Sequence, residues 1–224
     1  RMSSGDGPRP IMTCPVTGIY EGEIYYVQNL LKEVDAYFDK NDDRFCNFPR
    51  KYKIGISGCK CHCAAHEIQD VAFTAFKTED GEVLFDLTIG GGLSKSKQIA
   101  TRANKYVKPE QVLDVAVACA EIFRDNGNRD NRNKARVRHL LNDWGIEKFV
   151  EEIEKAIGYK LQDGFTAPVV ASFENRNHFG INRQKQSGLS YVGFATNSGR
   201  VAGEDFVKFY EICKKYGAGG VALT

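Results

Sequence analysis

Residues 51–57 alternate with a period of two. Lys51, Lys53, Gly55 and Ser57 share one face of an extended chain, and Tyr52, Ile54 and Ile56 share the other. Such a strand has one register: a slip by one residue would carry the apolar set into water and the lysines into the core. The apolar face belongs against a core. The other face then holds two ammonium groups ~7 Å apart beside a glycine that leaves room for close approach. Two readings follow, a solvated edge strand whose lysines deter aggregation and a cation pair aimed at an anion. Three thiols, Cys59, Cys61 and Cys63, follow within five residues of one another.

The other apolar patterns surround this strand with both element types. Val27, Leu30, Leu31, Val34 and Phe38 predict a helix over 23–39. Further strands are predicted over 69–76 and 82–89, joined by the Glu79-Asp80-Gly81 turn. Gly90-Gly91-Gly92 follows, then a short helix near 95–105. Pro109 suits the first turn of a helix carrying Val112, Val115, Cys119, Ile122 and Phe123. A basic helix near 131–143 and another over 146–157 complete a first domain, 1–160. A linker over 161–175 leads to a second unit, 176–224, with strands at 179–181 and 190–195, a helix over 203–216 and a strand opening at Gly220. The fold class is α+β, a mixed or antiparallel sheet flanked by helices, followed by an incomplete ferredoxin-like unit. The start at Arg1 and the apolar run at Val221-Ala222-Leu223 imply a piece of a longer protein.

Composition narrows function by exclusion. A net charge of +2 gives no electrostatic footprint for nucleic acid or a membrane surface, and no apolar run approaches the length of a membrane span. Seven cysteines at this spacing suit metal or cluster ligation in a reducing cytoplasm better than disulfides. Arg129, Arg132 and Arg136 fall at i, i+3 and i+7, one face of a helix if the helix reaches back that far, and stacked guanidiniums suit a ligand with several carboxylates. The triple glycine lets backbone N–H groups come close to a flat or anionic ligand.

Taken together, Gly5-Asp6-Gly7-Pro8-Arg9, Thr13-Cys14-Pro15, Pro49-Arg50-Lys51-Tyr52-Lys53, Glu67-Ile68-Gln69-Asp70-Val71, Gly90-Gly91-Gly92-Leu93 and Arg132-Asn133-Lys134-Ala135-Arg136 resemble the sirohaem-dependent assimilatory sulfite and nitrite reductases. His178-Phe179-Gly180, Gln184-Lys185 and Tyr191-Val192-Gly193-Phe194 are similar to the opening of that family's second ferredoxin-like half-domain. The resemblance implies a reductase of small oxyanions, with sirohaem and a 4Fe–4S cluster as cofactors and a donor such as ferredoxin. It implies that Arg9, Lys51 and Lys53 bind the oxyanion. Arg50, Arg129, Arg132 and Arg136 then meet sirohaem carboxylates, and Gln69, Gly90, Gly91, Gly92 and Gln184 line the cofactor. Lysine at position 53, where nitrite reductases of the family carry asparagine, implies sulfite. Pro10 departs from the asparagine often found there. The family ligates its cluster through C-x5-C and C-x3-C in the second half. Here Cys14, Cys59 and Cys63 stand at the first half's counterparts, with Tyr20 in the fourth place, as cluster ligands or as relics of a duplication. The reading from another class is a non-catalytic Fe–S or zinc electron-transfer module built on Cys59, Cys61 and Cys63.

Overall fold

The computed structural model describes residues 5–61, 63–93, 96–168, 178–217 and 221–222. Five strands form one sheet in the order β1 (Ile54–Ser57), β2 (Val71–Lys77), β3 (Val83–Ile89), β4 (Thr101–Val107) and β5 (Gln162–Asp163). β1 runs parallel to β2, and the remaining neighbours are antiparallel. The helices are α1 (Gln28–Lys40), α2 (Asp42–Phe45), α3 (Val112–Asn126), α4 (Val137–Trp144) and α5 (Ile146–Ile157). Beyond them lie a hairpin, β6 (Gly180–Arg183) and β7 (Ser190–Gly193), and α6 (Gly203–Tyr216).

Period 2 decides the two faces of the sheet. The register pairs Ile54 with Val71, Ile56 with Phe73, Phe73 with Leu87 and Ala75 with Phe85, which puts the apolar residues on one side. They are fully buried with α1, α3, α4 and α5 in a single core, where Phe38, Phe45, Phe48 and Tyr52 join edge to face and Phe123 stacks on Tyr52. The opposite side carries Gly55, Ser57, Ala72, Thr74, Asp86 and Thr88, small or polar and also buried. That is the face of Lys51 and Lys53. The outer edge of β1 is covered by residues 8–12, which bridge Pro8 to Tyr52 and Met12 to Gly55.

Two predicted elements differ. The helix expected near 95–105 is strand β4, because pairing with β3 and a fork from Arg102 onto Asp86 hold 101–107 extended. The basic helix expected over 131–143 begins only at Val137. Asn128 and Asn131 side chains accept the backbone N–H groups of Asn131 and Asn133, capturing donors that a helix would need and leaving a single tight turn at Arg132–Lys134. Arg129, Arg132 and Arg136 therefore share no helix face. α1 also starts later than predicted, at Gln28, because the N–H groups of Ile24 and Tyr25 turn to the Gly58 carbonyl. Within the predicted linker, β5 joins the sheet edge, and Arg102 donates to the carbonyls of Gly164 and Thr166. The strand expected from Gly220 lies outside the described residues.

Candidate anion site and thiol cluster

The polar face of the sheet ends in a cluster of cations around one carboxylate. Asp70, fully buried just before β2, accepts a fork from Arg136 (2.8 Å to each oxygen) and the Lys53 backbone N–H at 2.9 Å. Burial pushes its carboxyl up, and Arg136 and Lys53 pull it back down. With three N–H donors on its oxygens, the carboxylate form is the one that fits. The Lys53 ammonium donates to the Ile68 carbonyl at 2.9 Å. Burial lowers its pKa; Asp70 works against that, and Arg136, Lys51 and Arg138 add to it. Arg138, 4% exposed, stands beside Arg136 with Nε and Nη1 buried and unpartnered among the described residues. Among the described residues the Asp70 carboxylate thus faces Lys53, Arg136 and Arg138. A buried charged donor without a partner costs more than the roughly 1–3 kcal/mol of a neutral one, so the surplus favours an incoming anion.

Arg9 extends this face. Its backbone N–H pairs with the Tyr52 carbonyl, and with Pro8 opposite Tyr52 its side chain shares the side of Lys51 and Lys53. Nη2 donates to the Gly5 carbonyl, and Nη1 is buried without a partner. Gln69 packs over Gly55 and donates from Nε2 to the Ala64 carbonyl, leaving Oε1 buried and unbonded. The three glycines have packing reasons of their own. A Cβ on Gly90 would lie 2.5 Å from Leu141, one on Gly91 2.5 Å from the Glu67 carbonyl oxygen, and one on Gly92 2.5 Å from Arg138 Nη1. Lys51 and Arg50, both half-buried, make no hydrogen bond or ion pair with a described residue.

The structure takes other predicted residues elsewhere. Arg129 donates to Asn47 and the Arg124 carbonyl, and Arg132 forks onto Asp6; both are exposed. Gln184 sits on the hairpin, bridged to Tyr20 and donating to the Ser190 carbonyl. Asp70 and Arg138 are the residues that pattern reading passed over. Asp70 stands in a quoted motif directly after Gln69, and Arg138 lies two places beyond the motif that ends at Arg136.

The thiols gather at a second place. Cys14 and Cys63 approach His178 Nε2 at 3.5 and 3.1 Å, and the three donor atoms lie within 4.8 Å of one another. Cys59, buried, is in hydrogen-bond contact with Cys63; that contact and burial push its pKa up. Cys61 meets the Tyr20 hydroxyl at 3.4 Å and lies against Cys59. Among the described residues the thiols that converge with an imidazole are Cys14 and Cys63, not the Cys59, Cys61 and Cys63 set on which a separate module would be built.

The arrangement fits one implied cofactor and not the other. Sirohaem carries several carboxylates, and the buried donors of Arg138, unpartnered among the described residues, suit them. A 4Fe–4S cluster takes thiolates at four separate corners, whereas here an imidazole sits between two thiols and a third faces a tyrosine. These residues do not fit it.

Residues 4–161 match the family described as the nitrite and sulphite reductase 4Fe-4S domain. The ferredoxin–nitrite reductase of Synechococcus elongatus is 34% identical over 99% of this chain and 44% of its own length. The sulfite reductase [ferredoxin] of Mycobacterium tuberculosis H37Rv is 36% identical over 98% of this chain and 39% of its own. The chain thus spans about two-fifths of the length of the curated relatives it matches. The solved structure of Mycobacterium tuberculosis NirA superposes with a TM-score of 0.85 at 36% identity, covering 96% of this chain and 38% of that one. The α+β sheet, the cation cluster and the matched span lead to one conclusion: this chain belongs to the nitrite and sulphite reductase 4Fe-4S domain family.

Proposed function

We propose that this chain supplies the anion-binding half of a sirohaem- and 4Fe–4S-dependent reductase, acting on sulfite with electrons from a ferredoxin-type donor. The observation that carries it is the surplus of positive charge on the polar face, where Lys53, Arg136 and Arg138 surround the single Asp70 carboxylate and Arg9 and Lys51 stand beside them. Sirohaem, when bound, supplies the iron at which a small oxyanion takes up six electrons. Arg138 and Arg136 hold its carboxylates, and Gln69 and Gly90–Gly92 lie along its edge. Arg9, Lys51 and Lys53 bind the oxyanion and neutralise the charge that builds as oxygen leaves as water. Lys53 Nζ is also the proton donor of choice, since its lowered pKa eases release. The cluster is held by residues outside this chain, and a reducing cytoplasm is the compartment this chemistry calls for. Nitrite is the second reading, favoured by the nitrite reductases among the relatives.

Sulfite carries two charges and nitrite one, so a second ammonium favours sulfite; one charge-assisted contact is worth about 1.5–3 kcal/mol. In the complete reductase, Lys53→Asn is expected to shift the ratio of kcat/KM values toward nitrite by roughly tenfold or more. Steady-state kinetics on both anions with one electron donor decides it, and an unchanged ratio removes Lys53 from the substrate site.

A further inference from the structure

The second hairpin and α6 are poorly anchored by packing. No residue of α6 is buried, and Ile181 and Val192 on the hairpin are 81% and 62% exposed. Among the described residues the hairpin is joined to the first domain mainly by polar contacts: the Tyr20–Gln184 bridge, Lys185 N–H to the Ile19 carbonyl, Lys185 to Glu23 and Gln186 to the Gly18 carbonyl. His178 reaches across the same seam to Cys14 and Cys63.

Hydrogen bonding alone leaves that triad unsatisfied. An imidazole nitrogen has one in-plane position, either a lone pair or a proton, yet two sulfurs approach Nε2. The other ring nitrogen is occupied, because Nδ1 lies 3.0 Å from the Tyr191 hydroxyl. With its proton on Nδ1, the ring turns the Nε2 lone pair toward the thiols, the orientation an outer partner imposes on a ligating histidine. Tyr20 stands edge-on to the ring at 5.1 Å and holds its plane. The spacing is also that of ligands on one ion. Zn–S and Zn–N bonds of ~2.3 and ~2.0 Å at the tetrahedral angle set sulfur and nitrogen about 3.5 Å apart, against the observed 3.5 and 3.1 Å.

We infer that Cys14, Cys63 and His178 form a mononuclear zinc site, which staples the hairpin to the first domain. Two thiolates and an imidazole are a borderline-soft donor set suited to tetrahedral zinc, with a solvent molecule in the fourth position. Binding exchanges the thiol protons for the metal. No electron transfer is involved, and the role is structural: a small unit with little core of its own gains its attachment from the ion.

The test uses the full 224-residue chain, purified without chelator and without sirohaem, so that its result does not depend on the reductase reading. Elemental analysis is expected to find one zinc per chain, and cobalt(II) titration to give the visible bands of a tetrahedral thiolate site. His178→Gln and Cys63→Ser should each weaken zinc binding by about 100-fold or more, while Cys61→Ser, whose thiol faces Tyr20, leaves it unchanged. Chelation should speed amide exchange in 180–193 and spare the five-stranded sheet, which separates loss of the ion from loss of the fold. The absence of stoichiometric zinc, an affinity unmoved by His178→Gln, or iron and sulfide bound four to four would each overturn the assignment.

Discussion

Asp70 is the residue on which the cation cluster depends. It is the single carboxylate holding Arg136, and its backbone neighbour Lys53 shares it. Removing one partner of a buried pair strands the other charge, at roughly 3–5 kcal/mol. Asp70→Asn is therefore expected to lower unfolding stability by about that amount, read as a reduced urea midpoint at an unchanged slope. Arg132→Ala, which breaks an exposed pair with Asp6, should leave the urea midpoint nearly unchanged. A similar loss in both variants would mean that the buried fork contributes no more than a surface contact. Lys51 and Lys53 were legible at this scale, because alternation with Tyr52, Ile54 and Ile56 assigns their face. Asp70 was not, since nothing local says that a carboxylate will be buried against an arginine 66 residues away.

At the scale of elements, the turn after β3 separates packing from function. An alanine Cβ at Gly91 would press on two backbone carbonyls, at 2.5 and 2.7 Å, and backbone there is held by the sheet. At Gly92 the clash is with the end of a flexible side chain, Arg138 Nη1. Gly91→Ala is expected to destabilise the chain by about 1–3 kcal/mol. Gly92→Ala should leave thermal stability nearly unchanged while displacing Arg138, so that the complete reductase retains less sirohaem. Thermal melts and sirohaem absorbance measured side by side check both halves. Equal melting losses without a difference in sirohaem would show that Gly92 serves packing alone. The basic run illustrates why element reading failed nearby: charge spacing indicated one helix face, but the asparagine side chains had a better use for the backbone N–H groups.

For the whole molecule, the question is how much this chain does alone. It carries the cations, yet its thiols do not fit a cubane, and Phe206, Val207, Tyr210 and Ile212 on α6 stand exposed. The isolated chain is expected to bind sirohaem weakly and to form no sulfide from sulfite with a chemical electron donor. Reconstitution with iron, sulfide and sirohaem followed by a sulfide assay checks this, and sustained sulfide production would show that a working cluster assembles here.

The sequence by itself determined the alternating strands, the turn at Glu79-Asp80-Gly81, the helix that follows Pro109, the helix over 146–157, and the side of the sheet on which lysines stand. These are local consequences of side-chain period, proline and glycine. It determined the family as well, through motifs spread over the whole chain. Only tertiary structure decided that 101–107 is a strand, because its partner is β3. Only tertiary structure brought Asp70 to Arg136, left Arg138 without a partner among the described residues, and set His178 between Cys14 and Cys63. Those outcomes rest on contacts between residues far apart in the chain, whose chemistry is fixed by burial and neighbouring charge, and neither is written in local spacing.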